Sequence, residues 1–118
     1  MLSNRSFLLI GLAFILIAVQ AASAQYTISD CGNISVEGHY VLNQSISANG
    51  TCLIINTSNI DLDCMGFNID FNTLGAYNGQ IGITAALGTV LLSNLTIRNC
   101  IIADTNASNT TGLGISFT

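Results

Sequence analysis

The chain has 118 residues, half of them hydrophobic, with two arginines, no lysine, six carboxylates, four cysteines and no proline. This length fits at most one small domain. A formal net charge of -4 leaves no basic patch to neutralise phosphates, so the composition excludes a nucleic-acid-binding protein. Only 7% of the residues are charged, against about a quarter in typical soluble domains, so uncharged polar groups must supply solubility.

The first 24 residues have the layout of a secretory signal peptide. Arg5 precedes a run of thirteen apolar residues, and the small residues Ala-Ser-Ala at 22–24 supply a cleavage site. The alternative is a retained membrane anchor, but thirteen residues fall short of the roughly twenty that span a bilayer as a helix. We therefore predict cleavage after Ala24. The mature chain, 25–118, carries one arginine against six carboxylates and is expected outside the cell or on its surface.

All four cysteines lie beyond this segment, at Cys31, Cys52, Cys64 and Cys100. An even number in a short exported domain indicates two disulfides. Four buried free thiols are one alternative and a zinc site is another. Zinc is disfavoured because the spacings contain no C-x-x-C pair and His39 is the only histidine.

The mature chain also holds seven acceptor motifs for N-glycosylation. Asparagine in such polar segments has a structural explanation as well, because it tolerates left-handed backbone and hydrogen-bonds locally in turns. Both interpretations place these side chains at the surface. The motifs begin at Asn33, Asn43, Asn49, Asn56, Asn94, Asn106 and Asn109.

After the signal peptide, β-branched side chains and alternating apolar and polar residues predict strands rather than helices. Glycine, asparagine and serine separate the segments, as expected for turns. In chain order, strands are predicted at 40–42, 52–55, 60–64, 67–69, 95–98, 100–102 and 113–117.

Two of these segments repeat. Residues 58–62 recur 35 positions later at 93–97, and residues 81–84 recur 32 positions later at 113–116. A unit of this size fits one turn of a β-solenoid that carries a loop. We predict this loop at residues 72–80. A β-sandwich would also give short strands, but it needs hairpins, whereas a strand that returns in the same orientation stacks in parallel.

Longer stretches resemble exported right-handed parallel β-helix proteins, which include pectate-lyase-like repeats and the periplasmic copper-binding accessory β-helix family. The matching stretches are 31–34, 38–42, 50–55, 59–69 and 94–100, and the resemblance covers 26–118. It implies an all-β, right-handed parallel β-helix of about three rungs. Residues 25–50 would form the N-terminal cap and first turn, and 51–118 the rungs.

Helices of this family normally run longer. Here the sequence reaches Thr118 within a predicted strand, without a capping segment. An uncapped end would expose Ile115, Phe117 and a row of unpaired backbone groups. We expect a truncated N-terminal portion of a longer protein, or else an end that finds a partner, including another copy of the chain.

The repeat alignment and the resemblance together predict the disulfide partners. Four cysteines allow three connectivities, and we choose Cys64 with Cys100 and Cys31 with Cys52. The two repeats differ by one residue before Cys100, and Asn99 at the corner can absorb this difference as a turn residue.

Charged residues gather on one predicted strand face. Asp61 and Asp63 point to the same side, and the 35-residue offset sets Thr96 beside Asp61 and Arg98 beside Asp63. The face resembles polysaccharide lyase sites, which would make Asp61, Asp63 and also Asp70 calcium ligands, with Arg98 as the base. The alternative is a solubilising ion pair, and it is favoured because calcium needs six to eight oxygens.

Other chemistry has less support. A copper site would need His39 and Met65 as ligands. However, Met65 stands directly before Gly66 and is interpreted as a turn residue, and His39 is interpreted as the cap of the first strand. Glu37 has no histidine or serine partner for nucleophilic hydrolysis. We therefore predict no catalytic residues, no metal site and no cofactor, with calcium on the Asp61 face as the weaker alternative.

Two functions remain. The first is an exported or cell-surface module with a structural, adhesive or glycan-binding role, whose partners would be glycans or neighbouring surface proteins. The second is an N-terminal fragment of a carbohydrate-active β-helix enzyme, a polysaccharide lyase or hydrolase. Neither involves a membrane span after signal removal.

Overall fold

A computed structural model describes residues 24–74, 79–85, 88, 91–106 and 112–118. Within these ranges the protein is all-β, and no segment there forms a helix able to cross a membrane. Eleven short strands were assigned in the described residues. They are β1 (Gln25–Ile28), β2 (Gly32–Ile34), β3 (Gly38–Leu42), β4 (Ile46–Ser47), β5 (Leu53–Ile55), β6 (Ile60–Asp63), β7 (Asn68–Phe71), β8 (Ile81–Ala85), β9 (Leu95–Arg98), β10 (Ile101–Asp104) and β11 (Leu113–Phe117).

These strands form three parallel sheets. Sheet A has the spatial order β1-β3-β6-β9, sheet B has β2-β5-β8-β11, and sheet C has β4-β7-β10. From β3 onward the chain visits sheets A, C and B in a repeating cycle, so each strand pairs in parallel with the one from the preceding cycle. This all-parallel stacking is consistent with the predicted β-solenoid class, and no hairpin pairing of a β-sandwich occurs among the described strands.

The alternation along each strand decides which side chains form the core. In β6, Ile60 and Leu62 are buried while Asp61 and Asp63 lie at the surface, because successive side chains point to opposite faces. The inward side chains then stack in columns from strand to strand. The buried core comprises Ile34, Tyr40, Leu42, Ile46, Cys52, Leu53, Ile55, Ile60, Leu62, Cys64, Ile69, Phe71, Ile83 and Ala85.

Asparagines occupy the corners where the backbone turns between sheets. Asn59, Asn72, Asn94 and Asn99 all have positive φ angles, between 54° and 60°, and Met65 has a φ of 53°. Asparagine enters this left-handed region more readily than other side chains because its short polar group bonds locally. The predictions of a turn at Met65 and of a corner at Asn99 are thus confirmed.

Two disulfides fasten neighbouring cycles together. Cys31 is bonded to Cys52 and Cys64 to Cys100, with Cα separations of 4.7 and 4.8 Å, and none of the described cysteines is free. This is the pairing predicted from the repeat alignment and the resemblance. Two disulfides in so small a domain indicate an oxidising, extracellular environment.

Several predictions can be compared with the described residues only in part. The strands before residue 52 were largely missed, since only 40–42 of β3 was predicted and β1, β2 and β4 were not. The predicted signal peptide lies outside the described residues except for Ala24, as do Asn109 and the middle of the 72–80 loop. Those parts stay predictions.

Candidate functional site

The charged residues predicted to share a face do so on the outer surface of sheet A. Asp61 pairs with Thr96 in register, and Asp63 pairs with Arg98, as the 35-residue offset predicted. The same columns continue into the strand on the other side, where His39 lies beside Asp61. Three neighbouring strands, β3, β6 and β9, therefore supply one cluster.

Arg98 bridges the two carboxylates. Its Nη2 lies 3.1 Å from Oδ2 of Asp61, and its Nε donates to Oδ2 of Asp63 at 3.0 Å. The Arg98 side chain is 46% exposed and that of Asp63 is 13% exposed, so the pair lies at the edge of solvent. The guanidinium is thus held between the two carboxylates.

His39 belongs to this cluster, which corrects its interpretation as a cap of the first strand. It lies inside β3, and its Nδ1 is 2.9 Å from Oδ2 of Asp61. The reason is register: Gly38, His39 and Tyr40 pair with Ile60, Asp61 and Leu62, so His39 points outward beside the carboxylate. Oδ2 of Asp61 therefore contacts both the His39 imidazole and the Arg98 guanidinium.

Asp63 is the most firmly held of the acids. The Asn99 Nδ2 donates to its Oδ1 at 3.0 Å, and the backbone N–H of Met65 donates to the same oxygen at 2.9 Å. These two hydrogen bonds, with Arg98 beside the other oxygen, lower the pKa of the Asp63 carboxyl from its usual range.

Because the pKa of Asp63 is lowered in the folded state, the free energy of unfolding depends on pH. Above the unfolded-state pKa, about 3.9 for aspartate, the ionised Asp63 stabilises the fold, and the contribution is lost as the pH falls through the lower folded-state pKa. We expect the free energy of unfolding to fall below about pH 4 in the wild type and to fall less steeply in Asp63→Asn. Urea unfolding at a series of pH values measures both slopes, and equal slopes would contradict this role.

A ladder of side-chain amides runs beside the charged cluster. The Asn94 Nδ2 donates to Oδ1 of Asn59 at 3.0 Å, and the Asn59 Nδ2 donates to Oε2 of Glu37 at 3.0 Å. Asn59 and Asn94 occupy the same corner of successive cycles, one position before β6 and β9. Glu37 is thereby engaged with an amide rather than with a nucleophile.

The ladder and the cluster border a shallow groove of about 280 Å³. Apart from Gly38 and Ile60, the residues that line it carry polar or ionisable side chains. The groove can therefore accept and donate hydrogen bonds to a hydroxyl-rich molecule. It is lined by Gly38, His39, Asn59, Ile60, Asp61, Asn94 and Thr96.

The proposed calcium ligands do not all meet. Asp70 lies in β7 of sheet C, opposite Ser47 in register, whereas Asp61 and Asp63 lie on sheet A, so a three-aspartate site is wrong. Within the described ranges, no group of three or more His, Cys, Asp or Glu side chains could hold a metal ion.

The acceptor asparagines differ in their surroundings. Asn33 and Asn43 are exposed, whereas Asn56 and Asn106 are half-buried. Asn94 is exposed but its Nδ2 donates within the ladder, and Oδ1 of Asn49 accepts a hydrogen bond from Thr73 at 2.6 Å. Surface placement thus holds for four of the six acceptors in the described residues, Asn33, Asn43, Asn49 and Asn94.

Three side chains of this candidate site were not predicted to lie there. His39 was missed because its repeat offset to Asp61 is 22 residues, shorter than the 35 that identified Arg98. Asn59 and Asn94 were visible as matching positions in the repeat, but their hydrogen bond to each other was not anticipated.

No family model, curated protein or solved structure matches the chain.

Proposed function

We propose that this protein is an exported, non-catalytic β-helix module that binds glycans on the outer face of sheet A. The proposed fold is a right-handed parallel β-helix. Its three complete rungs are formed by β3 to β11, and β1 and β2 form a partial turn before them. It rests on the cyclic order of the strands and on the resemblance of the sequence to exported β-helix proteins.

Export is supported by two independent features. The first is the signal-like segment before residue 25, and the second is the pair of disulfides, which persist in oxidising compartments. The exposed Asn33 and Asn43 would be the acceptors best placed to carry sugar in a host that glycosylates.

The observation that carries glycan binding is the polar groove beside the amide ladder. Amide groups both donate and accept hydrogen bonds, which suits sugar hydroxyls. Next to them, Arg98 neutralises much of the charge of Asp61 and Asp63, so the face can approach an uncharged polysaccharide. Thr96 and His39 extend the polar lining on the side of the ion pairs.

The second candidate is a fragment of a polysaccharide lyase. One observation favours it: Arg98 lies within 3.1 Å of two carboxylates on the adjacent strand, as the resemblance to lyase sites implies. The same contacts favour the binding module more, because an arginine held by two carboxylates is not free to take a proton from a sugar.

Screening against an array of neutral and acidic glycans, followed by titration calorimetry on those retained, tests the proposal. Thr96→Ala removes one hydroxyl from the groove, and we expect it to weaken binding by roughly threefold to tenfold, the value of one hydrogen bond. Thr84→Ala is the matched control, because Thr84 faces outward on sheet B in β8. Retention of no glycan, or equal weakening by both variants, would contradict glycan binding at this groove.

A further inference from the structure

The N-glycosylation motif at residues 94–96 lies within the groove on the outer face of sheet A. Its acceptor, Asn94, and its hydroxyl residue, Thr96, both line the groove, while Leu95 between them packs against the core. Among the acceptor asparagines in the described residues, Asn94 alone lines this groove. A sugar attached at Asn94 would therefore start at the groove itself.

The amide of Asn94 can carry a sugar without leaving the ladder. N-glycosylation joins Nδ2 to the anomeric carbon of an activated, diphosphate-linked sugar, whose diphosphate leaves while Nδ2 loses one proton. Nδ2 has two hydrogens, and the ladder uses one of them, in the 3.0 Å hydrogen bond to Oδ1 of Asn59. Because the Asn94 side chain is exposed, the second hydrogen can be exchanged for a sugar.

The groove has room for one occupant at a time. Its volume of about 280 Å³ is at the lower end of small-molecule sites, which span roughly 300 to 1,000 Å³. His39, Asn59 and Asp61 line it beside Asn94 and can form hydrogen bonds with sugar hydroxyls. A tethered sugar is present at an effective concentration on the order of millimolar, so it occupies these partners ahead of a dilute free glycan.

Two other acceptors lie away from the groove. Asn33 is in β2 of sheet B, whereas the groove crosses β3, β6 and β9 of sheet A. Asn43 directly follows the end of β3, and the residues of that strand that line the groove are Gly38 and His39, at its start. Sugars at Asn33 and Asn43 would leave the groove open, so these positions provide controls within the same chain.

We propose that Asn94 is an N-glycosylation site whose attached sugar fills the groove, so that glycosylation at Asn94 and binding of an external glycan exclude each other. This exclusion rests on the proposed function, because only a groove that binds glycans is regulated in this way. The unmodified chain is then the binding form, and the chain glycosylated at Asn94 is the closed form.

The reactivity of His39 towards diethyl pyrocarbonate measures whether the groove is filled. His39 is the only histidine of the chain and lines the groove, and its Nδ1 lies against Asp61, which leaves Nε2 to the reagent. Wild type, Asn94→Gln and Asn43→Gln are produced in a eukaryotic secretion host that attaches N-glycans and in a bacterial host that does not. For each protein, the ratio of the two modification rates cancels the effect of the substitution itself. Peptide mapping by mass spectrometry gives the occupancy of each acceptor.

We expect the secreted wild type to carry sugar at Asn94. Its His39 should react at least about threefold more slowly than in the bacterial protein, because the occupant of such a site has about 70% or more of its surface buried there. The same slowing is expected for Asn43→Gln, whereas Asn94→Gln should react at equal rates from both hosts.

Three results overturn the proposal: an Asn94 peptide without sugar, a glycosylated wild type that reacts at the unmodified rate, or slowing that persists in Asn94→Gln. Binding of no glycan by the bacterial protein contradicts the proposed function instead, since the His39 rates do not depend on an external glycan.

Discussion

The Cys64→Ala/Cys100→Ala double variant is expected to lose about 3 to 4 kcal/mol of the free energy of unfolding. The disulfide closes a segment of 36 residues, and without it the unfolded chain gains the conformational entropy of that loop. It also joins β6 to β9 just after the ion-paired residues, at a corner where Cys64 is fully buried. For a domain whose total stability is about 5 to 15 kcal/mol, this is a large share.

Urea unfolding followed by far-ultraviolet circular dichroism measures this loss. The comparison variant is Cys31→Ala/Cys52→Ala, whose closed segment of 21 residues predicts a slightly smaller loss, about 3 kcal/mol. A loss below about 1 kcal/mol in the first double variant would contradict the role of the Cys64–Cys100 bond in holding successive cycles together.

Leu62→Ala is expected to cost about 2 to 5 kcal/mol. Leu62 is 0% exposed and pairs with Tyr40 on one side and Ile97 on the other, so it lies in the middle of the core column of sheet A. Removing its branched end deletes packing contacts with both neighbouring strands and leaves a cavity that parallel strands, fixed in register, close only partly.

The chain offers a matched control for this change. Leu91 is 90% exposed, so Leu91→Ala removes the same atoms from a site without packing, and its effect should stay within about 0.5 kcal/mol. Chemical unfolding of both variants gives the comparison. Similar losses at the two positions would contradict the inward orientation of Leu62 and, with it, the register of β6.

The sequence predicted best the part of the fold in which strands both alternate and recur in the repeat. β6 and β9 alternate over four residues and repeat each other, which led to parallel stacking and to the pairing of Asp63 with Arg98. β4 has two residues, Ile46 and Ser47, too few for any alternation, and its place in sheet C depends on pairing with β7.

The sequence predicted those site residues that are separated by the same repeat length. Asp61, Asp63 and Arg98 follow from the offset of 35 residues, but the preceding cycle is shorter by thirteen residues, and this shift concealed that His39 aligns with Asp61. Asp70 was grouped with the other acids only through the resemblance to lyase sites. The chain turns between Asp63 and Asp70, at Met65 and Gly66, and that turn carries Asp70 onto another sheet.

A depolymerisation assay separates the binding module from the lyase most directly. The protein is incubated with a polyuronate and calcium, and with each glycan that it retains, while unsaturated product and chain length are followed. Arg98→Gln serves as the comparison, because loss of a half-exposed ion pair should change stability by no more than about 1 kcal/mol and leave the variant folded. We expect retained glycans to keep their chain length with both proteins. Calcium-dependent cleavage by the wild type that disappears in Arg98→Gln would contradict the non-catalytic function and assign the Asp61, Asp63 and Arg98 face to a lyase.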